Sequence, residues 1–186
     1  MNTWPISWLP PMPILHPILP ESVGHTDAIG TTLATPKMNG ASGAVWPSAN
    51  LAIFVPIQIG CAVTITVLVW NNGAAVSGNI DVGIYDAAGT RLFSSGSTAQ
   101  SGTSVIQHVN ITDTLIGPGL YYWAMALDNT TGAVFRATAV NAEACRCMGL
   151  LQQATAFALP ATATFASMAQ NYIPILGALV SPRTLV

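Results

Sequence analysis

Charge is what this chain lacks most. Five Lys or Arg and seven Asp or Glu stand among 186 residues, 6 % of the total, where a soluble domain usually carries about a quarter. A free monomer relies on charge to stay apart from its neighbours, so so sparse a supply points to a surface that faces other protein. The net charge is -2, and five scattered basic residues cannot build the basic stripe of a nucleic-acid binder. Nucleic acid is therefore excluded as an expected partner. Cysteine is scarce as well. Cys61, Cys145 and Cys147 form no framework, and the odd count argues against a fold held by disulfides; it suits assembly in a reducing cytoplasm. The first residues have no basic stretch ahead of an apolar one, so Met1 to Pro20 does not read as a secretory signal.

Apolar residues are plentiful, 51 % of the chain with a mean hydropathy of +0.52, and a membrane has to be considered. Leu51 to Trp70 is an uncharged run of about spanning length. Within it Pro56, Gln58, Gly60, Thr64 and Thr66 oppose a helix, and Val63, Ile65, Val67 and Val69 alternate with Thr64, Thr66 and Leu68 in the manner of a strand. The run has no positive flank to orient it. No membrane partner is expected.

Composition divides the chain at about residue 45. In residues 1–45 proline falls at 5, 10, 11, 13, 17 and 20, which forbids a helix and favours extended backbone of the polyproline type. A disordered linker would be polar, whereas here Trp4, Ile6, Trp8, Leu9, Ile14, Leu15, Ile18 and Leu19 fill the gaps. These eight residues are the expected partner-binding surface of an anchoring arm.

Residues 46–186 read as the body. Strand candidates are 51–59, 62–70, 79–85, 90–94, 104–112, 119–127 and 133–139, separated by turn formers such as Asn71-Asn72-Gly73, Asp86-Ala87-Ala88-Gly89 and Gly117-Pro118-Gly119. Strands at this spacing without helical periods predict an antiparallel sandwich. Pro56 marks an edge or bulge in its strand. Strand 79–85 reads as half-buried, Ile80, Val82 and Ile84 against Asn79, Asp81 and Gly83. Strand 119–127 is apolar on both faces, which makes it central and covered twice, or a contact with a neighbouring subunit. A short helix is expected from Ala142 towards Gln153, then Ala/Thr-rich coil and a closing strand in YIPILGALV.

Catalytic or metal chemistry finds no constellation. Cys145 and Cys147 are two thiols where a zinc site needs four ligands, and in a helix they would diverge. His108 has no orienting partner or nucleophile at recognisable spacing. Asp81, Asp86, Asp113 and Asp128 fall in or beside turns, where capping is the expected duty rather than calcium binding. No cofactor is expected, and the chain does not read as an enzyme. Tyr85, Tyr121, Tyr122 and Trp123 form a candidate glycan or interface patch, since Tyr and Trp serve both purposes.

The segments IFVPIQI (53–59), VTITVLVW (63–70), GNIDVGIYDAAGTRL (78–92), SSGSTAQSGTS (94–104) and ITDTLIGPGLYYWAMALDNTTG (111–132), followed by LPATATFA (159–166) and YIPILGAL (172–179), resemble in their order a jelly-roll module common in bacteriophage virion proteins. That resemblance implies an all-β, jelly-roll-like sandwich of residues 46–186 carrying a Pro-rich arm of residues 1–45. It implies a structural protein of fibres, tail tips or capsid decorations, located in the virion, usually trimeric, with other virion proteins as partners and no catalytic residues. A carbohydrate-binding receptor-recognition module is the alternative.

Overall fold

The computed structural model describes residues 32–34, 42–138 and 141–181. They form strands β1 (Thr32–Ala34), β2 (Ser42–Val45), β3 (Ala52–Ile59), β4 (Val63–Asn71), β5 (Asn79–Asp86), β6 (Arg91–Ser94), β7 (Thr98–Ala99), β8 (Ile106–Ile116), β9 (Gly119–Leu127) and β10 (Ala133–Thr138). After helix α1 (Ala142–Cys147) come β11 (Leu151–Gln153), β12 (Ala166–Ser167), β13 (Tyr172–Pro174) and β14 (Leu176–Ser181). All pairings are antiparallel. The sheets run β1-β14-β4-β8, β13-β10-β2, and β12-β11-β3-β9-β5-β6 with β7 added against β5. The run Leu51 to Trp70 that raised the question of a membrane is thus split between β3 and β4 in different sheets. Among the described residues no helix is long and apolar enough to cross a membrane.

The long strands β3, β4, β5, β8 and β9 alternate between the seven-stranded and the four-stranded sheet. Their inward side chains meet in one core: Val55, Ile57, Ile84, Trp123 and Met125 from the larger sheet, and Ile65, Leu68, Trp70, Ala178 and Val180 from the smaller. The three-stranded sheet adds Val134, Tyr172 and Ile173. Trp46 packs edge-on against Tyr172, with ring centroids 5.1 Å apart, and its Nε1–H donates to the Leu51 carbonyl at 2.9 Å. Trp46 and Tyr172 can be buried together because each polar end finds a backbone acceptor, the Tyr172 hydroxyl donating to the Ala44 carbonyl at 2.8 Å.

Several expectations need correction. β1 and β2 lie in residues 1–45 yet pair with β14 and β10, so the body reaches back into the stretch that composition assigned to the arm. Strand β5 is buried on both faces, Asp81 included, because a further layer covers the larger sheet. The helix stops at Cys147. Asn141 caps its start by accepting from the Ala144 N–H at 2.9 Å, and Gly149 at φ 79° turns the chain out of it. Residues 151–153 instead pair with β3. Pro56 does sit on a local edge, since β11 reaches only from Ala52 to Phe54 along β3.

The link from β7 to β8 carries the chain from one sheet to the other, and a buried amide cluster fastens it. Asn72 Oδ1 accepts from Trp70 Nε1 and from Gln100 Nε2, each at 3.0 Å. Asn72 Nδ2 donates to the Ser101 carbonyl at 2.6 Å and to Gln107 Oε1 at 2.9 Å, while Gln100 Oε1 accepts from the Ser77 N–H at 3.0 Å. Neutral amides satisfy one another here without desolvating a charge. Replacing Asn72 by Ala strands the Trp70 indole and part of both glutamines. Asn72→Ala should lower stability by about 2–4 kcal/mol, read as a shift of the urea midpoint.

Candidate functional site

The two large sheets differ in what lies on their outer faces. On the seven-stranded sheet Ala52, Phe54, Tyr85, Ala124 and Ala126 form a second buried cluster with Ala156 and Leu159, and Tyr122, Phe157, Ala163 and Phe165 pack against it. The cover is residues 156–165, the Ala/Thr-rich segment expected as coil. Small side chains on β9 let it approach closely. Phe54 meets Tyr85 at 5.2 Å and Phe165 at 5.0 Å, both edge-on. Backbone bonds hold the cover down: Ala156 N–H to Asn50 O at 2.7 Å, Arg91 N–H to Ala161 O at 2.9 Å, and Ala163 N–H to Gly89 O at 2.7 Å.

Asp81 is the buried anchor of this cover. It accepts from the Leu159 N–H at 3.0 Å and from Ser95 Oγ at 3.3 Å. Arg91 Nη1 donates to the Leu159 carbonyl, and Tyr85 Oη to the Pro160 carbonyl at 2.5 Å. Asp86 and Asp128 perform the capping expected of them: Asp86 Oδ1 accepts from the Ala88 and Thr90 N–H groups, and Asp128 Oδ1 from the Asn79 N–H. Asp81 departs from that expectation, because it stands within a strand and not at its end.

Between the free edges of β6 and β8 a cleft of about 600 Å³ opens, lined by Asp81, Arg91, Ser94, Ser95, Asn110, Thr112 and Thr114 among others. Its two charged residues already bind Leu159, so they serve the cover. Among the described residues no group of three or more His, Cys, Asp or Glu is placed to hold a metal. On α1, Cys145 is buried and Cys147 exposed; the thiols diverge, and burial raises that of Cys145.

The outer face of the four-stranded sheet, by contrast, carries no cover from the described residues. Alternation sends Leu68, Trp70, Ala178 and Val180 inwards and turns Val67, Val69, Leu179, Ile106 and Leu115 outwards through the registers Val67↔Leu179, Asn71↔Ile106 and Thr64↔Leu115. Ile106, Leu115 and Leu179 are 67 %, 57 % and 43 % exposed. Val69, Ile106, Ile175 and Gly177 also line a shallow groove of about 140 Å³. His108 and Asn110 belong to the same face, and the one charged residue in these four strands is Asp113. The face is an exposed apolar patch of the kind that marks an interaction surface.

The sequence-expected residues fare unevenly. Trp4, Ile6, Trp8, Leu9, Ile14, Leu15, Ile18 and Leu19 lie outside the described residues. Tyr85, Tyr121, Tyr122 and Trp123 do not make one exposed patch. Tyr85 and Tyr122 belong to the covered outer face, Tyr121 and Trp123 to the inter-sheet core, and Tyr85 and Trp123 are wholly buried. Neighbours in a strand point to opposite faces, so Tyr121-Tyr122-Trp123 had to divide. The bare face itself was missed, though Val67-Leu68-Val69-Trp70 is apolar in both phases, the same signal that marked 119–127.

No family model, no curated protein and no solved structure matches the chain.

Burial raises the Asp81 carboxyl above its ordinary value of 3.8, overriding the Leu159 and Ser95 hydrogen bonds and the Arg91 charge. The folded state therefore holds the proton more tightly than the unfolded chain. The stability this supplies is complete below 3.8 and is lost as pH rises through the folded-state value. Asp81→Asn keeps the acceptor for Leu159 and removes the charge. Between pH 4 and pH 7 the native protein should lose stability relative to Asp81→Asn in urea titrations; Asp81→Ala, which orphans the Leu159 N–H, should cost about 1–3 kcal/mol at both.

Proposed function

We propose that this chain is a non-enzymatic structural component of a phage virion. A jelly-roll-like body is held through the N-terminal arm to the capsid, or to the neck or tail, where it acts as cement, decoration or a short fibre. The observation that carries this reading is the outer face of the four-stranded sheet, which exposes Ile106, Leu115 and Leu179 beside a single carboxylate, Asp113, on a chain with few charges. A freely diffusing protein with such a face and a net charge of -2 would self-associate; a subunit fixed in an assembly buries it. Alternation of β3, β4, β5, β8 and β9 between two packed sheets supports the jelly-roll description. Its symmetry is read as trimeric on resemblance alone. The glycan-binding alternative would need an exposed aromatic platform, and Tyr85 and Trp123 supply none.

The arm residues Trp4 to Leu19 carry no charge and are rich in proline, which lowers the chain freedom lost on docking. Deleting residues 2–20 should leave the circular dichroism and melting of the body intact and abolish incorporation into particles, measured by co-sedimentation with purified virions. Incorporation of the truncated chain at the normal copy number would overturn the reading.

A further inference from the structure

Asparagine stands directly before glycine at Asn72-Gly73, and the structure accounts for both residues. A Cβ on residue 73 would lie 2.8 Å from the Cβ of Ala133 and 3.1 Å from its carbonyl carbon, so the close approach of β10 admits only glycine there. At residue 72 the amide cluster needs a side chain that accepts from Trp70 and Gln100 and donates to Ser101 and Gln107, and only a primary amide does both. Packing and hydrogen bonding together thus produce the dipeptide most open to one intramolecular reaction. In it the backbone nitrogen of the following residue attacks the asparagine Cγ, and glycine offers no side chain to obstruct the approach.

The reaction is a substitution followed by a hydrolysis. The Gly73 nitrogen gives its proton to a solvent base and bonds to Asn72 Cγ. The Cγ–Nδ2 bond breaks, and the nitrogen takes up a proton and leaves as ammonia, which closes a five-membered imide. Water then opens the imide at one of its two carbonyls. The product is Asp at position 72, or an isoaspartyl link in which the backbone runs through the former side chain. One amide and one water become one carboxylic acid and one ammonia; nothing is oxidised or reduced.

Native contacts block the first step. The Gly73 N–H donates to the Ala133 carbonyl at 2.8 Å, and the Asn72 N–H to the Val105 carbonyl at 2.9 Å. Bringing Cγ onto the Gly73 nitrogen would break the first of these and all four side-chain bonds. Asn72 is also wholly buried, away from base and water, so the reaction must wait for the crossing to open. The product, in turn, does not fit. A carboxylate oxygen in place of Nδ2 sets a buried charge against two acceptors, the Ser101 carbonyl and Gln107 Oε1. Gln107 cannot turn its amide to donate instead, because Nε2 already serves the Ala99 carbonyl at 2.8 Å and Oε1 the Ser101 N–H at 2.9 Å. The isoaspartyl product lengthens the backbone by a methylene where Asn72 bridges to Val134.

We propose that Asn72 is a deamidation site that the native fold closes and any opening of the crossing exposes, and that its conversion is a one-way exit. A chain that has lost the Asn72 amide does not regain the native structure. This holds whether or not the protein is a virion subunit.

For the test, two aliquots of the full-length chain stand in mildly alkaline buffer, one native and one in guanidinium chloride, and conversion is located by digestion and tandem mass spectrometry. Asn39-Gly40, the other Asn-Gly pair of the chain, supplies the reference rate in denaturant. There Asn72 should convert as fast as Asn39; in native buffer it should convert at least about 100-fold more slowly than in denaturant, because native chains open rarely. Once the denaturant is removed, protease-resistant protein should contain intact Asn72, and the converted chains should be found only in the digested fraction. Asn72→Asp, made directly, should be recovered as aggregate or as protease-sensitive chain. Equal conversion of Asn72 in both aliquots would overturn the protection. Protease-resistant protein carrying aspartate or isoaspartate at position 72, from the aged chain or from Asn72→Asp, would overturn the one-way exit.

Discussion

Double burial of β9 is the constraint on which the rest of the molecule depends. The strand sits between β3 and β5 in the larger sheet and has apolar residues in both phases, Trp123, Met125 and Leu127 on one side and Tyr122, Ala124 and Ala126 on the other. A single opposing sheet satisfies only the first set. Exposing the second would leave a contiguous apolar strip in water, so the fold needs a third layer, and residues 156–165 provide it. Alanines at 124 and 126 are small enough for a segment without regular structure to settle against the sheet, and Phe54, Tyr85 and Phe165 fill what they leave. The route of the C-terminal quarter of the chain follows from that requirement.

A chain with so few ionic groups must satisfy its buried polar atoms by other means. Asn72, Gln100 and Gln107 hold the crossing between sheets through amide hydrogen bonds, and Tyr172 reaches the Ala44 and Val134 carbonyls to hold β2 and β10. Neutral groups can be buried at lower cost than ions. The exception is Asp81, whose desolvation is tolerated because its carboxylate fixes the cover at Leu159. Charge has been removed from the surface and from most of the interior alike. Asp86 and Asp128 stand where the backbone turns, Asp81 and Arg91 tie the cover down, and Glu143 and Arg146 pair on α1.

The two sheets thereby acquire different roles. One is closed on both faces by the chain itself and makes a self-sufficient core. The described residues close the other on one face only, and its outer surface carries Val67, Val69, Ile106, Leu115 and Leu179 among Thr64, Asn71, His108, Asn110 and Asp113. Its edge is also where the N-terminal stretch joins the body. The proposed role in an assembly would use both halves of this arrangement: a core closed by the chain itself, and an apolar face open to a partner. The low charge suits that division, because like-charged neighbours resist the close contact that burial of such a face requires.

The amino-acid sequence determined the long strands of the body. Alternation in 63–70, unbroken apolar character in 119–127 and the turn formers at 71–73, 86–89 and 117–119 placed β3, β4, β5 and β9 within a residue, because period and turn chemistry are local properties of the backbone, while β8 runs four residues beyond its expected end. It also left 119–127 either covered on both faces or in contact with a neighbouring subunit, and the structure shows the first. What covered it was decided by tertiary structure alone: FALPATATFASMAQ has no periodicity to announce a lid, and its hydrogen bonds run to Asp81, Gly89 and Arg91, far away along the chain. For the same reason Asp81 read as a polar-face residue, Tyr85 and Trp123 as members of one glycan or interface patch, and Val67 and Val69 as one face of an alternating strand with Val63 and Ile65. Which phase of a two-faced strand meets solvent depends on the layer that arrives from elsewhere, and no local pattern carries that information.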